Sequence, residues 1–365
     1  MNRNKISVSR YFGICWLSLL VGTFMVMSSG SFETGSSESI LRPFVFAAVN
    51  LTGFVFTGGF IKVSGGENIL SYLKKRSRVL SAAAAAVYAL IFLYGLIRTA
   101  ARFDLFASSE MFAQNDTALF SVLILFLCAL LSLRGLSALC RAGTVFCIAV
   151  AAGTLAVIIL SVADNFDFLN FAPLNKAGAE EFLPDALAYA CYPVETGAIL
   201  LFCDRLTGKP KKGFFIWLAV STVSLFLLAF CVVGTLGAFA DTQLFPVYAL
   251  STVHGIGLLE RLDAVETAVW MLCIVCKTVF YFIITGECLH SLLPGIPRAA
   301  AVLCAAAAVS AASVVISGRV GLFGFLSIGV QTTVSYCICV LVLPVFGMIF
   351  GKLIKPKKRG GELAE

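Results

Sequence analysis

Long apolar stretches separated by short polar segments recur along the whole 365-residue chain. Apolar residues are continuous within each stretch and do not alternate with polar ones, so the pattern predicts α-helices rather than barrel strands. Because a helix rises about 1.5 Å per residue, roughly 20 residues cross a hydrocarbon core of about 30 Å. We predict an all-α, polytopic membrane protein of about ten transmembrane helices. The predicted spans are residues 11–31, 43–61, 79–101, 117–133, 141–162, 183–203, 213–238, 264–289, 299–317 and 322–351.

The composition supports this interpretation. Hydrophobic residues make up 59% of the chain and charged residues 13%, which is about half the charged fraction of a soluble domain. A water-exposed surface around so much apolar material would need more charge than the chain contains. We therefore expect the lipid bilayer to cover most of the exterior of a single transporter-like domain, residues 1–351.

The distribution of charge predicts the orientation. Lysine and arginine cluster in alternate loops, whereas the other loops carry aspartate and glutamate. With an even number of spans, the positive-inside rule places both termini in the cytoplasm. The net charge of +7 is thus a topology signal, and the dispersed basic residues do not indicate a nucleic-acid partner. A tail that is first basic and then acidic, residues 352–365, follows the domain.

Two predicted spans carry residues that interrupt helices. Gly22 and Thr23 lie within the first span, and Pro193 lies within the sixth. Proline removes a backbone donor, and freed backbone groups at membrane depth must find partners or line a cavity. The two interruptions are five spans apart, as in inverted-repeat transporters with a midplane site. We predict a five-plus-five inverted repeat (pseudo-repeats 11–162 and 183–351) with broken first and sixth helices; a simple kink at each position is the alternative.

Ionisable residues inside the spans are candidate site residues. A charge at the centre of a membrane helix costs about 2.5–3.5 kcal/mol on insertion scales, so such residues are usually paired, solvated or neutral. Glu195 is either a ligand-binding or proton-carrying carboxylate or a structural acceptor at the break. Lys277 faces a substrate carboxylate, stands where other transporters place sodium, or forms a salt bridge to Glu195. Arg98 either lines the cavity or extends to the outer membrane interface. Tyr94, one turn earlier, either lines the cavity or packs in the core.

An amino acid would suit the geometry of two broken helices. Its carboxylate would accept hydrogen bonds at the helix start after Gly22, and its ammonium group would meet carbonyl oxygens before Pro193. The sequence contains no phosphate loop, GxSxG or HExxH motif. Its thirteen cysteines lie within or at the ends of apolar spans, which does not indicate disulfides. We therefore predict neither enzymatic activity nor a metal site or cofactor.

Several short motifs occur in a family-specific order and spacing. Over nearly its whole length the chain resembles the spore germination permeases, the B subunits of germinant receptors, within the amino acid–polyamine–organocation transporter superfamily. The motifs that carry the resemblance are Leu133-Arg134-Gly135-Leu136, Asn170-Phe171-Ala172-Pro173-Leu174, Tyr192-Pro193-Val194-Glu195, Phe245-Pro246-Val247-Tyr248, Glu260-Arg261-Leu262-Asp263, Trp270 and Lys277-Thr278.

The resemblance implies a membrane subunit of a spore germinant receptor. Such a subunit binds a small nutrient, often an amino acid, around unwound first and sixth helices in the spore inner membrane. It works with a larger membrane-anchored subunit and a lipoprotein. The alternative is a proton-coupled secondary amino acid transporter. The implied pocket residues are Gly22 and Thr23 in the first helix, Tyr94 and Arg98 in the third, Ala190, Tyr192, Val194 and Glu195 in the sixth, and Cys276 and Lys277 in the eighth.

Overall fold

The computed structural model describes residues 5–24, 37–111, 118–172, 179–252, 262–317 and 329–353. This part of the chain is almost entirely helical, which confirms the all-α class. Residues 25–31, 117 and 322–328 of the predicted spans, 173–174 and 260–261 of the motifs, and 354–365 of the tail lie outside it. The helices are α1 Val8–Phe24, α2 Arg42–Val63, α3 Ile69–Lys74, α4 Arg78–Phe106, α5 Ala118–Ser132, α6 Leu136–Asn165, α7 Ala179–Ala190, α8 Ile199–Phe202, α9 Pro210–Leu236, α10 Pro246–Thr252, α11 Leu262–Leu292, α12 Arg298–Ser317, α13 Val330–Tyr336 and α14 Leu343–Leu353.

Two short strands and a π-helical segment are among the elements between these helices. Strands β1 (Ile6–Ser7) and β2 (Leu206–Thr207) pair in parallel, with Ile6 opposite Leu206. This pair joins the start of α1 to the segment before α9. A π-helical segment, Cys337–Val342, connects α13 to α14.

Helices in the described part are suited to crossing a membrane. Seven spans are long and apolar enough, and α7 together with Val194–Arg205 forms an eighth, bent candidate. Helices α1 and α5 are shorter apolar helices of 17 and 15 residues. The protein is therefore multi-pass, as its composition predicts. The count of ten spans and the inverted repeat stay predictions.

Helix α11 lies at the centre of the bundle. In its most apolar stretch 72% of the residues are buried, against 22–39% in the other six long spans. It packs against α1, α4, α5, α6 and α12. Lipid therefore covers little of α11, and a polar residue on it faces protein rather than hydrocarbon.

The sixth span is interrupted where proline predicts it. Helix α7 ends at Ala190, a 3-10 turn covers Val194–Thr196, and α8 begins at Ile199. The two halves of this span are bent by 42°. Pro193 precedes the 3-10 turn as its N-cap residue. Its missing N–H and ring explain why α7 does not continue.

The predicted unwinding at Gly22 and Thr23 is corrected by the structure. Helix α1 runs through both residues to Phe24, and residues 25–36 lie outside the described part, so a break of the first span beyond Phe24 stays a prediction. A Cβ atom on Gly22 would lie only 2.0 Å from Cε1 of the Tyr192 ring. Gly22 therefore allows the sixth span to approach α1 closely, and this close approach, rather than helix breaking, is what requires glycine.

Candidate functional site

The backbone at the sixth-span break is held by side chains from neighbouring helices. Asn50 Nδ2 of α2 donates a 3.0 Å hydrogen bond to the Ala190 carbonyl oxygen, at the end of α7. The Tyr336 hydroxyl of α13 donates to Asn50 Oδ1 at 3.1 Å. Because Asn50 and Tyr336 are buried, they replace the solvent that would otherwise satisfy the interrupted backbone.

Two tyrosines bind the far side of the same break. The Tyr11 hydroxyl of α1 donates to the Glu195 carbonyl oxygen at 3.0 Å. The Tyr88 hydroxyl of α4 donates to the Gly197 carbonyl oxygen at 3.1 Å. Both tyrosines are fully buried. The break is thus fixed by α1, α2, α4 and α13 together, and it can support a defined arrangement of side chains.

A buried ion pair lies beside the break. Lys277 Nζ is 3.0 Å from Glu195 Oε1, and the two side chains are 3% and 0% exposed. The same oxygen accepts hydrogen bonds from the Ser18 hydroxyl and, at 2.7 Å, from the Tyr281 hydroxyl. Lys277 also donates to the Tyr192 hydroxyl at 2.8 Å and to the Ser18 carbonyl oxygen at 3.2 Å. The salt bridge considered in the sequence analysis is therefore present.

The two carboxylate oxygens of Glu195 differ in their hydrogen-bond partners. Three donors converge on Oε1, whereas the buried Oε2 atom has no hydrogen-bond partner among the described residues. Buried carboxylate oxygens usually accept a hydrogen bond, so Oε2 is the acceptor that this site leaves available.

A cavity opens on the other side of Lys277. It measures about 40 Å³ and lies between α4, α11, α13 and the sixth-span break. Arg98 donates from Nη1 to Thr332 Oγ1 at 2.7 Å across this space. Its guanidinium also lies 5.5 Å from the centre of the Tyr94 ring. The lining residues are Ile91, Phe92, Tyr94, Gly95, Arg98, Thr99, Arg102, Tyr192, Val194, Lys277, Tyr281, Thr332 and Ser335.

The cavity is lined by positive charge. Arg98, Arg102 and Lys277 are all buried, and no acidic residue is among the described lining residues. The Glu195 carboxylate offsets the charge of Lys277 from behind, and the guanidinium groups of Arg98 and Arg102 lie on the α4 wall. Guanidinium is planar and binds carboxylates in a bidentate manner. The site therefore has the chemistry to bind an anionic group, with the aromatic rings of Tyr94, Tyr192 and Tyr281 beside it.

The structure brings part of the predicted site together. Tyr94, Arg98, Tyr192, Val194 and Lys277 line the cavity, and Glu195 lies directly behind Lys277. Their role in binding a substrate stays a prediction. The remaining candidates lie elsewhere: Pro193 and Ala190 at the break itself, Cys276 buried beside Lys277, Gly22 against the Tyr192 ring, and Thr23 in a separate cavity with Arg42 and Tyr189.

Sequence reasoning missed several residues of this site. Arg102 follows Arg98 by four positions, and Tyr281 follows Lys277 by four, so helical spacing puts each on the same face as its partner. That spacing was available as a signal. Ser18 and Asn50 carried no such signal, because small polar residues are frequent in this chain and only their contacts distinguish them.

Comparisons with known proteins agree with this architecture. The family model described as "Spore germination protein" matches residues 45–318. A search of curated proteins gives no significant match. The fold resembles MhsT in complex with L-phenylalanine, with 13% identity, a TM-score of 0.62, and coverage of 94% of this chain and 88% of that one. It also resembles a Na⁺-coupled sialic acid symporter in a substrate-bound outward-open state, with 10% identity, a TM-score of 0.64, and coverage of 97% and 91%.

Proposed function

Because the chain belongs to the spore germination protein family, we propose that it is the ligand-binding membrane subunit of a germinant receptor. The ligand is a small nutrient with a carboxylate, in the first instance an amino acid. One observation carries the proposal: Arg98, Arg102 and Lys277 converge on a cavity beside the sixth-span break. The family and the fold neighbours are permease- and transporter-like proteins rather than enzymes, which supports a binding function.

The chemistry of the cavity supports a carboxylate ligand. Arg98 and Arg102 place two guanidinium groups on the α4 wall, and a carboxylate that joined their existing partners would form charge-assisted hydrogen bonds, which are roughly twice as strong as neutral ones. Hydroxyl oxygens of Thr332 and Ser335 supply acceptors for an ammonium group. The ligands named for the two solved structures, L-phenylalanine and sialic acid, both carry a carboxylate, and this likeness supports the same ligand chemistry here.

Ligand binding would act through the walls of the cavity. The walls come from α4, α11, α13 and the sixth-span break, so a bound nutrient favours whichever arrangement of these elements it fits better. It shifts that equilibrium only by its difference in affinity between the two states. In the receptor, we propose that the larger membrane-anchored subunit and the lipoprotein sense this shift.

The ligand class can be tested by thermal shift on the purified protein. Each L-amino acid is compared with its own amide, which keeps the ammonium group and side chain but lacks the carboxylate. We expect stabilisation by at least one amino acid, loss of the effect with its amide, and loss in Arg98→Gln and Arg102→Gln. Arg134→Gln, an exposed arginine outside the cavity, should retain the response. Equal responses to acids and amides would contradict the proposal.

A proton-coupled secondary amino acid transporter is the second candidate. The observation that favours it is the buried Lys277–Glu195 pair with an unsatisfied Glu195 Oε2 among the described residues. Uptake of a labelled amino acid into proteoliposomes under a proton gradient, abolished in Glu195→Gln, would select the transporter. Ligand-dependent stabilisation without uptake, together with co-purification of the two partner subunits, would select the receptor.

A further inference from the structure

A groove lies between α2 and α9 on the outside of the bundle, and we call it the α2–α9 groove. Its volume is about 910 Å³, and it is open to the surroundings. Its apolar wall contains Leu51, Phe54, Val55 and Phe215, of which Val55 is 67% and Phe215 52% exposed. Phe54 stacks on Phe214 with ring centres 3.9 Å apart, which fixes the two helices side by side. The groove is therefore open and apolar along this wall, and the Phe54–Phe214 stack joins its two helices.

Four lysines surround one end of the groove. They are Lys62 on α2, and Lys209, Lys211 and Lys212 at the start of α9. The two helices are antiparallel, because Phe44 of α2 contacts Phe226 of α9 and the later Phe54 contacts the earlier Phe214. Continuing that register by eight residues places Lys62 level with about residue 206, roughly one turn before Pro210, and Lys212 level with about residue 56. The lysines of the two helices therefore lie within about two turns of each other at this end of the groove.

The groove has the depth of one lipid leaflet. Leu51 precedes Lys62 by 11 residues, or about 16 Å along the helix axis. That distance matches half of a hydrocarbon core of about 30 Å. Of the nearby acids, Glu67 pairs with Lys75 and Asp204 accepts a hydrogen bond from Asn68, and neither carboxylate lines the groove. The cationic end thus lies at headgroup level, and the apolar wall at acyl-chain level.

We propose that the α2–α9 groove is a binding site for one anionic diacyl phospholipid, such as phosphatidylglycerol. The phosphate contacts the four lysines, and the acyl chains lie along Leu51, Phe54, Val55 and Phe215. Basic pockets between membrane helices at the interface bind anionic headgroups in this way. A zwitterionic lipid is disfavoured because its own ammonium group meets the lysines. This site is separate from the cavity of the proposed nutrient.

The headgroup contacts are tested with fluorescent phosphatidylglycerol bound to the purified full-length protein. The variant Lys62→Gln/Lys209→Gln/Lys211→Gln/Lys212→Gln should bind about tenfold more weakly or worse. A charge-matched control, Lys74→Gln/Arg78→Gln/Arg134→Gln/Arg141→Gln, removes four exposed cations outside the groove and should stay within about twofold of the unmodified protein. Equal losses in both variants would mean general surface attraction and would overturn the proposal.

The acyl contacts need a variant that keeps all four lysines. Gly58 lines the groove, and a Cβ there meets only its own helix, at 3.8 Å from the Phe54 ring. Gly58→Phe should therefore fill the groove, keep the fold as judged by gel filtration and melting temperature, and exclude phosphatidylglycerol. Thr52→Phe, on an exposed position of α2 that does not line the groove, is the control.

Competition identifies the lipid class. Excess unlabelled phosphatidylglycerol should displace the probe, whereas phosphatidylcholine and inorganic phosphate should not. Displacement by inorganic phosphate alone would mean that the lysines bind any phosphate, and displacement by phosphatidylcholine that the groove binds any diacyl lipid. Either result would overturn the proposal.

Discussion

Lys277 and Glu195 bring two formal charges to a position where neither side chain is more than 3% exposed. Each partner alone would be a buried, uncompensated charge, and breaking such a pair costs about 3–5 kcal/mol. Hydrogen bonds from Ser18 and Tyr281 to Glu195, and from Lys277 to Tyr192, stabilise the charged forms further. Removing one member of the pair is therefore costly, whereas an apolar pair of similar volume in the same place would cost little.

Replacing one member of this pair should be worse than replacing both. We expect Lys277→Met and Glu195→Leu each to lower the free energy of unfolding by about 3–5 kcal/mol, and the double variant to recover much of that loss. Denaturant unfolding in detergent of the four proteins gives the coupling energy. Additive effects of the two single changes would show that the pair contributes nothing as a unit.

Gly22 offers a second test at the residue scale. Its Cβ would meet the Tyr192 ring at 2.0 Å, so Gly22→Ala should displace Tyr192, loosen its hydrogen bond with Lys277, and destabilise the protein by about 1–3 kcal/mol. Gly59→Ala is the matched control, because its nearest neighbour is Met348 Sδ at an ordinary 3.6 Å. Melting temperatures of both variants measure the difference; equal shifts would mean that the close approach at Gly22 is unimportant.

At the scale of the elements, α2 supports the sixth-span break. The Asn50 amide satisfies the Ala190 carbonyl oxygen and is itself oriented by Tyr336. Asn50→Leu should leave both groups unsatisfied and cost about 1–3 kcal/mol of unfolding free energy. Thr52→Val on the exposed face of the same helix should cost less, since its hydroxyl bonds only within α2. Melting temperatures of the two variants and the unmodified protein measure the difference. If Asn50→Leu is as stable as the unmodified protein, Asn50 does not support the sixth-span break.

The ends of α11 and α12 are joined to the segment after α8 by a charged cluster. Glu287 accepts from Arg205 at 2.9 Å and lies 3.4 Å from Arg298. Glu287→Gln should lower stability by about 1–2 kcal/mol, because Glu287 is only 24% exposed. The loss should be smaller at high salt, which screens the partly exposed Arg205 and Arg298. Glu67→Gln breaks the more exposed pair with Lys75 and should change stability by under about 1 kcal/mol. Urea unfolding at two salt concentrations measures both.

At the scale of the whole molecule, the loop charges predict that both termini lie on the cytoplasmic side. Green fluorescent protein fused at either end should fluoresce, and alkaline phosphatase fused there should be inactive. Alkaline phosphatase inserted after Ala172, in the acidic loop region, should be active. Termini on opposite sides of the membrane would require an odd number of spans and would contradict the ten-helix prediction.

The positions of the spans were readable from sequence because transfer of a segment into lipid depends mainly on its own residues. Pro193 was readable for the same reason, since proline interrupts a helix through its own ring and missing donor. Gly22 was not, because glycine permits both a break and a close contact. Only the position of the Tyr192 ring shows that the contact applies.

By itself, then, the sequence determined an all-α, multi-pass protein with an interrupted sixth span and unusual charges at Arg98, Glu195 and Lys277. The tertiary structure decided that Lys277 pairs with Glu195, 277 − 195 = 82 residues away, and that Arg102 and Tyr281 share the cavity. Insertion energies are local to each helix. The neighbours of a helix depend on side-chain packing across the whole bundle, which no single segment encodes.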